Sequence, residues 1–178
     1  MPDRGGILMS TIASPASRPR WVAWQTQESG KRTTKVPYSA GGPKAKADDP
    51  STWCTRVDAE FRAAILPKPF GLGGVGIELG DHEGLCLGGL DLCTCRDRET
   101  GTVETWAQEV VERFGSYAEV SPSGTGLKVF FAFDPADLVP LRLAMDTDHS
   151  RMFKRGGGDH SPAIELHLGN RYFSSSRS

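Results

Sequence analysis

The stretch Leu87-Gly88-Gly89-Leu90-Asp91-Leu92-Cys93-Thr94-Cys95-Arg96-Asp97 reads as an apolar strand that ends in charge. Side chains alternate faces along a strand, so Leu90 and Leu92 point to one side while Asp91 and Cys93 point to the other. The first face is core; the second brings a carboxylate and a thiol to a candidate site. Two further segments follow the same logic. Leu127-Lys128-Val129-Phe130-Phe131-Ala132-Phe133 is entered through the turn Ser121-Pro122-Ser123-Gly124-Thr125-Gly126. In Ala163-Ile164-Glu165-Leu166-His167-Leu168, Glu165 and His167 share the face opposite Ile164, Leu166 and Leu168. Asp91, Lys128 and Glu165 are therefore expected to meet over one sheet.

At 178 residues and 38% hydrophobic content the chain is within the range of one domain with an adequate core. Residues 1–20, rich in Pro, Ser, Gly and Arg and without periodicity, are expected to form a flexible tail, and 21–178 the domain. A formal net charge of -1 excludes a protein that holds nucleic acid by bulk electrostatics, so phosphate binding must be local. Four cysteines in this length make no secreted disulfide scaffold and suit a reducing cytoplasm. No apolar run approaches the ~20 residues that cross a bilayer, so a cytoplasmic location without a membrane partner is expected.

Along the chain, Trp21-Val22-Ala23-Trp24 reads as a strand, Gln27 to Thr34 as a polar hairpin turn, and Lys35-Val36-Pro37-Tyr38 as the return. Lys31 and Lys35 read as solvated surface lysines. Asp49-Pro50 opens a helix expected from Trp53 to about Ile65, with Val57, Phe61, Ala64 and Ile65 at helical spacing, ended by Pro67 and Pro69. A short strand Val75 to Leu79 and a polar turn Asp81 to Gly84 lead back into the Asp91 strand. Glu104 to Phe114 is a helix with Trp106, Val110, Val111 and Phe114 on one stripe. Asp134 to Met145 is expected to be helical with a break at Pro140, and Asp146 to Pro162 to be a long polar loop carrying Lys154 and Arg155.

The order of three motifs carries more weight than any one of them. Gly89 to Asp97, then Ser121 to Lys128, then Ile164 to Phe173 together resemble the bifunctional primase-polymerase domain of phage and plasmid replication proteins, in the archaeo-eukaryotic primase superfamily. The resemblance runs from about Trp21 to Phe173 and includes Lys35-Val36-Pro37-Tyr38 and Trp106-Ala107. It implies an α+β fold, a twisted and mainly antiparallel sheet with flanking helices on one face and the site on the open side. It implies template-dependent nucleotidyl transfer in replication of a phage, plasmid or integrated element. The implied partners are nucleoside triphosphates, single-stranded DNA template and a replicative helicase. Carried over residue by residue, Asp91 and Glu165 would be catalytic, metal-binding carboxylates for Mg²⁺ or Mn²⁺, with Cys93 at the third metal position. Ser121, Ser123, Gly124, Lys128 and Arg171 would handle nucleotide phosphates. Hard oxygen ligands suit these ions, while backbone amides and ammonium groups neutralise phosphates.

Three departures stand against a plain transfer of function. Cys93 stands where the motif has a second aspartate, and a thiol is a poor ligand for Mg²⁺. Lys128 stands where many relatives carry His; it binds phosphate but is less suited to proton transfer near neutral pH. No helicase or accessory domain is expected behind Ser178. Two alternatives follow: a catalytically weakened module that binds nucleotide or nucleic acid, and a small zinc protein built on Cys86, Cys93 and Cys95 with His82 or His160. The cysteine spacings fit no standard pair of metal knuckles, so buried small cysteines are the better reading.

Overall fold

A computed structural model describes residues 17–30, 32–69, 71–157 and 161–175. Most of the expected tail, residues 1–16, lies outside the described residues, as do Lys31, His160 and residues 176–178.

The fold is α+β, and every strand pair is antiparallel. Strands β1 (Trp21–Ser29), β2 (Arg32–Tyr38), β3 (Gly73–Glu78) and β10 (Tyr172–Ser174) form one sheet in the order β10-β3-β1-β2. Strands β4 (Gly80–His82), β5 (Leu85–Cys93), β6 (Ala118–Val120), β7 (Leu127–Phe133), β8 (Ser150–Lys154) and β9 (Ala163–His167) form a second, in the order β6-β7-β5-β9-β8 with β4 also on β5. The expected single sheet is thus two. The chain passes between them twice, from β3 through Leu79 into β4, and from β9 through Leu168 to Arg171 into β10. These passages touch at two glycines. A Cβ on Gly80, whose φ is +108°, would lie 3.2 Å from the Gly169 Cα, and one on Gly169 would lie 3.3 Å from the Gly80 Cα.

Each face of the six-stranded sheet has its own cover. Leu90, Leu92 and Val129 pack under helix α2 (Thr105–Phe114), which presents Ala107 with Trp106, Val110 and Val111 of the expected stripe, while Phe114 is 42% exposed with its ring against Phe131. On the other face Leu87 and Phe130 join Trp21, Ala23, Val75 and Ile77 of the four-stranded sheet, with Phe173 between them. Phe173 fits there because Gly89 has no side chain; a Cβ on Gly89 would stand inside the ring's van der Waals envelope. This core ends at Gly89. Two residues further along the same face, at Asp91, the surface becomes polar.

Several boundaries differ from expectation for local reasons. The β1–β2 pairing extends to Ser29 opposite Arg32; its threonines are polar but β-branched and stay in the strands. After a short 3₁₀ turn at Pro50–Thr52, helix α1 (Arg56–Ile65) starts late, because the Thr55 hydroxyl caps it by accepting from the Asp58 N–H at 3.2 Å. It packs through Ala59 and Ala63, and its expected apolar stripe faces out: Val57, Phe61 and Ile65 are 73%, 71% and 59% exposed. Helix α3 (Leu138–Met145) runs through Pro140 unbroken, since a proline in the first turn removes an N–H that has no intrahelical partner. The expected loop before Pro162 contains β8, an edge strand exposed along its length, which therefore shows no alternation in sequence.

Candidate active cleft

Strand register sets the candidate residues in one line. Glu119 of β6 pairs with Lys128 of β7, Lys128 with Asp91 of β5, Asp91 with Glu165 of β9, and Glu165 with Met152 of β8. Directly opposed side chains share a face, with Cβ atoms about 4.5–5.5 Å apart. Asp91, Glu165 and Lys128 are thus neighbours, and Cys93 lies on the same face one step along β5.

The contacts within this row are specific. Lys128 Nζ donates to Asp91 Oδ2 at 2.8 Å, and the lysine side chain is only 6% exposed. Its ammonium also sits 4.1 Å from the centre of the Phe173 ring. A buried cation gains from both neighbours, a carboxylate and an aromatic face, and Asp91 gains a neutralising partner in return. The Cys93 thiol points to Glu165, Sγ to Oε1 3.9 Å. Burial, with Asp91 and Glu165 adding to it, pushes this thiol up to about 12. It therefore stays protonated and offers Glu165 a hydrogen. His167, buried beside Glu165, has Nε2 3.4 Å from Oε2 without a hydrogen bond. Burial, followed by the Arg171 charge, lowers it to about 4, so it is neutral at physiological pH and this contact is not an ion pair.

A cavity of about 470 Å³ opens beside the pair, lined by Lys35, Asp91, Lys128, Arg171, Tyr172 and Ser174 among others. Arg171 reaches it from the β9–β10 connection, where Asn170 turns the chain with φ +52°. Lys35 enters from β2. The residue is exposed overall, but its ammonium lies over the Trp24 ring at 5.0 Å and donates to Ser174 Oγ at 3.1 Å. Burial of that end, then the nearby Lys128 charge, push Lys35 down to about 8.

The Ser121 turn stands apart from this cavity. Ser121 and Gly124 line a neighbouring hollow of about 310 Å³ with Trp24, Gly74, Val75 and Ser175. The turn is internally tied, Ser121 Oγ to Ser123 Oγ at 2.9 Å and Ser123 Oγ to Thr125 Oγ1 at 3.0 Å, and Arg96 Nη1 donates to the Gly124 carbonyl at 2.7 Å. Ser174 borders the first cavity and Ser175 the second, so the end of β10 divides them. Cys86 points away from Cys93 by strand alternation, and the buried Cys95 donates to the Leu92 carbonyl at 3.2 Å. Among the described residues no group of three or more His, Cys, Asp or Glu converges as metal ligands would.

Sequence reading missed three contributors. Lys35 was read as solvated surface, and only the hairpin register shows it reaching across Trp24. Glu119 joins the row through β6, where its carboxylate accepts from Tyr117 Oη at 3.0 Å and from Ser175 Oγ at 3.2 Å. Phe173 supplies the ring under the Lys128 ammonium. For Glu119 the signal was available, since it alternates with Ala118 and Val120 in a strand that leads directly into the serine turn.

No family model matches the chain. The DNA Primase-polymerase of Nitratiruptor phage NrS-1 is 29% identical over 154 residues, which cover 86% of this chain. The chain spans 18% of the length of that curated relative. Taken with the motif order and the antiparallel α+β fold, this similarity supports a primase-polymerase family assignment.

Proposed function

We propose that the domain binds a nucleoside triphosphate in the Asp91–Lys128 cleft, against a single-stranded DNA template, and that its own nucleotidyl transfer is weak. One observation carries this reading: Lys128 Nζ lies 2.8 Å from Asp91 Oδ2, inside a cleft that also holds Lys35 and Arg171. Three cations around a cavity of this size suit a polyphosphate chain, because charge-assisted contacts to phosphate are short and strong. Primer-forming chemistry places different demands on the same residues. Divalent ions need unengaged oxygen ligands, whereas here Asp91 is held by an ammonium and Cys93 brings a soft sulfur in place of a hard oxygen. Asp91, Glu165 and Cys93 as they lie do not fit Mg²⁺ or Mn²⁺.

Primer extension on a single-stranded template, with Mg²⁺ and separately with Mn²⁺, tests the reading. The natural chain is expected to extend poorly in both, and the double variant Cys93→Asp with Lys128→His to gain at least tenfold. The double variant frees Asp91 and adds a second carboxylate on the same face. Robust Mg²⁺-dependent extension by the natural chain, left unchanged in the double variant, would refute it.

A further inference from the structure

We infer that the cleft takes the triphosphate chain without a divalent cation: Lys128 fills the position beside Asp91 that a metal would need, and Lys35 joins Arg171 as a phosphate ligand. The inference rests on the nucleotide-cleft reading above and goes beyond it by naming what neutralises the phosphates. In a metal-dependent site, carboxylates gather the ion and the ion gathers the phosphates. Here the intermediary is covalently part of the chain. The Lys128 ammonium is fixed on both sides, by Asp91 at 2.8 Å and by the Phe173 ring at 4.1 Å, so an incoming ion must displace a buried, satisfied cation.

The remaining charges argue the same way. Among the described residues, neither Lys35 nor Arg171 has a carboxylate within ion-pair distance, while Lys128 does. Lys35 and Arg171 therefore face the cavity as unneutralised cations next to a neutral pair. Their repulsion is felt by Lys35, which burial and then Lys128 hold down near 8, with Arg171 adding to the effect. A divalent cation would increase this repulsion, and a polyphosphate relieves it. Lys35 also needs no rearrangement to serve. Its ammonium is already anchored on Ser174 Oγ at 3.1 Å, and Ser174 lines the same cavity.

The test is calorimetric titration of the natural chain with ATP and with inorganic tripolyphosphate, at low salt, in EDTA and again in Mg²⁺. Dissociation constants in EDTA are expected to lie within about threefold of those in Mg²⁺, with tripolyphosphate competing against ATP. Lys35→Ala should weaken binding in EDTA by roughly tenfold or more, the counterpart of about 1.4 kcal/mol. Lys128→Met should reverse the metal dependence, weak in EDTA and restored in part by Mg²⁺, because Asp91 is then free. Thermal melts check that each variant is folded, and if the buried Lys128 variant is not, the Lys35 variant and the EDTA comparison decide. Binding by the natural chain that is at least tenfold tighter in Mg²⁺ overturns the inference and leaves the nucleotide cleft standing. No binding in either medium brings down both.

Discussion

Replacing Glu78 by Gln should change how the stability of this protein depends on pH. Glu78 is wholly buried at the end of β3, and neither carboxylate oxygen has a hydrogen-bond partner among the described residues. Burial lifts its pKa from 4.5 to about 8, with the Arg20 charge opposing the shift and Asp48 adding to it. The sign follows from where the proton is held. Between about 4.5 and about 8 the folded state binds a proton that the unfolded chain has released, so stability falls as pH rises through that window. At about pH 7 the chain is some 2.5 pH units above the unfolded value, and at about 1.4 kcal/mol per unit the cost is roughly 3 kcal/mol. Gln has the same shape and does not titrate. Urea unfolding of both proteins at a series of pH values should show a stability gap that opens above about pH 4.5, favours Gln by roughly 3 kcal/mol near neutrality and stops growing above about pH 8. His167, lowered to about 4, titrates in both proteins and cancels from the difference. A gap that stays constant from about pH 5 to about pH 8 would show that Glu78 is not held protonated.

Triphosphate affinity should fall as pH rises through about 8, because Lys35, surrounded by Lys128, Arg171 and Asp91, loses its charge there. Calorimetry across that range should show the fall in the natural chain and a flat profile in Lys35→Ala. Cys93 should react with iodoacetamide at about pH 8 at least a hundredfold more slowly than a free thiol, since so little of it is thiolate; labelling at the free-thiol rate, followed by mass spectrometry, would contradict its assigned protonation. Gly89→Val should displace Phe173 from the core and cost about 1–3 kcal/mol in urea unfolding, and should also weaken triphosphate binding because Phe173 supports Lys128. Unchanged stability in that variant would mean that the ring and the strand are not in contact.

Strand alternation was legible wherever one face was buried. Leu90 and Leu92 against Asp91 and Cys93, or Ile164 and Leu166 against Glu165, gave both the strand and the sharing of a face. Where burial was absent the signal was too, as in β8, which is exposed throughout. Periodicity also gives spacing without direction: Val57, Phe61 and Ile65 mark a helix correctly and face solvent, while two alanines make the contact. The division into two sheets was not legible: the straps that join them meet at Gly80 and Gly169, which are far apart in the chain with no pattern linking them. The site was legible as a set of residues but not as a set of bonds. That Lys128 grips Asp91 depends on the register of β5 against β7, and that Lys35 crosses Trp24 to reach Ser174 depends on register across the four strands β2, β1, β3 and β10.

The meeting of Gly80 and Gly169 also sets the gauge of the cleft. Its walls belong to different sheets, with Lys35 and Ser174 on one and Asp91 and Lys128 on the other, and Arg171 on a strap between them. Both straps are clamped where their backbones cross with only hydrogens between, so the width of the mouth is fixed at a point outside it. A Cβ at either glycine would meet the Cα of the other at 3.2–3.3 Å, so the two straps would have to part there, one residue before Asn170 enters the lining of the cleft.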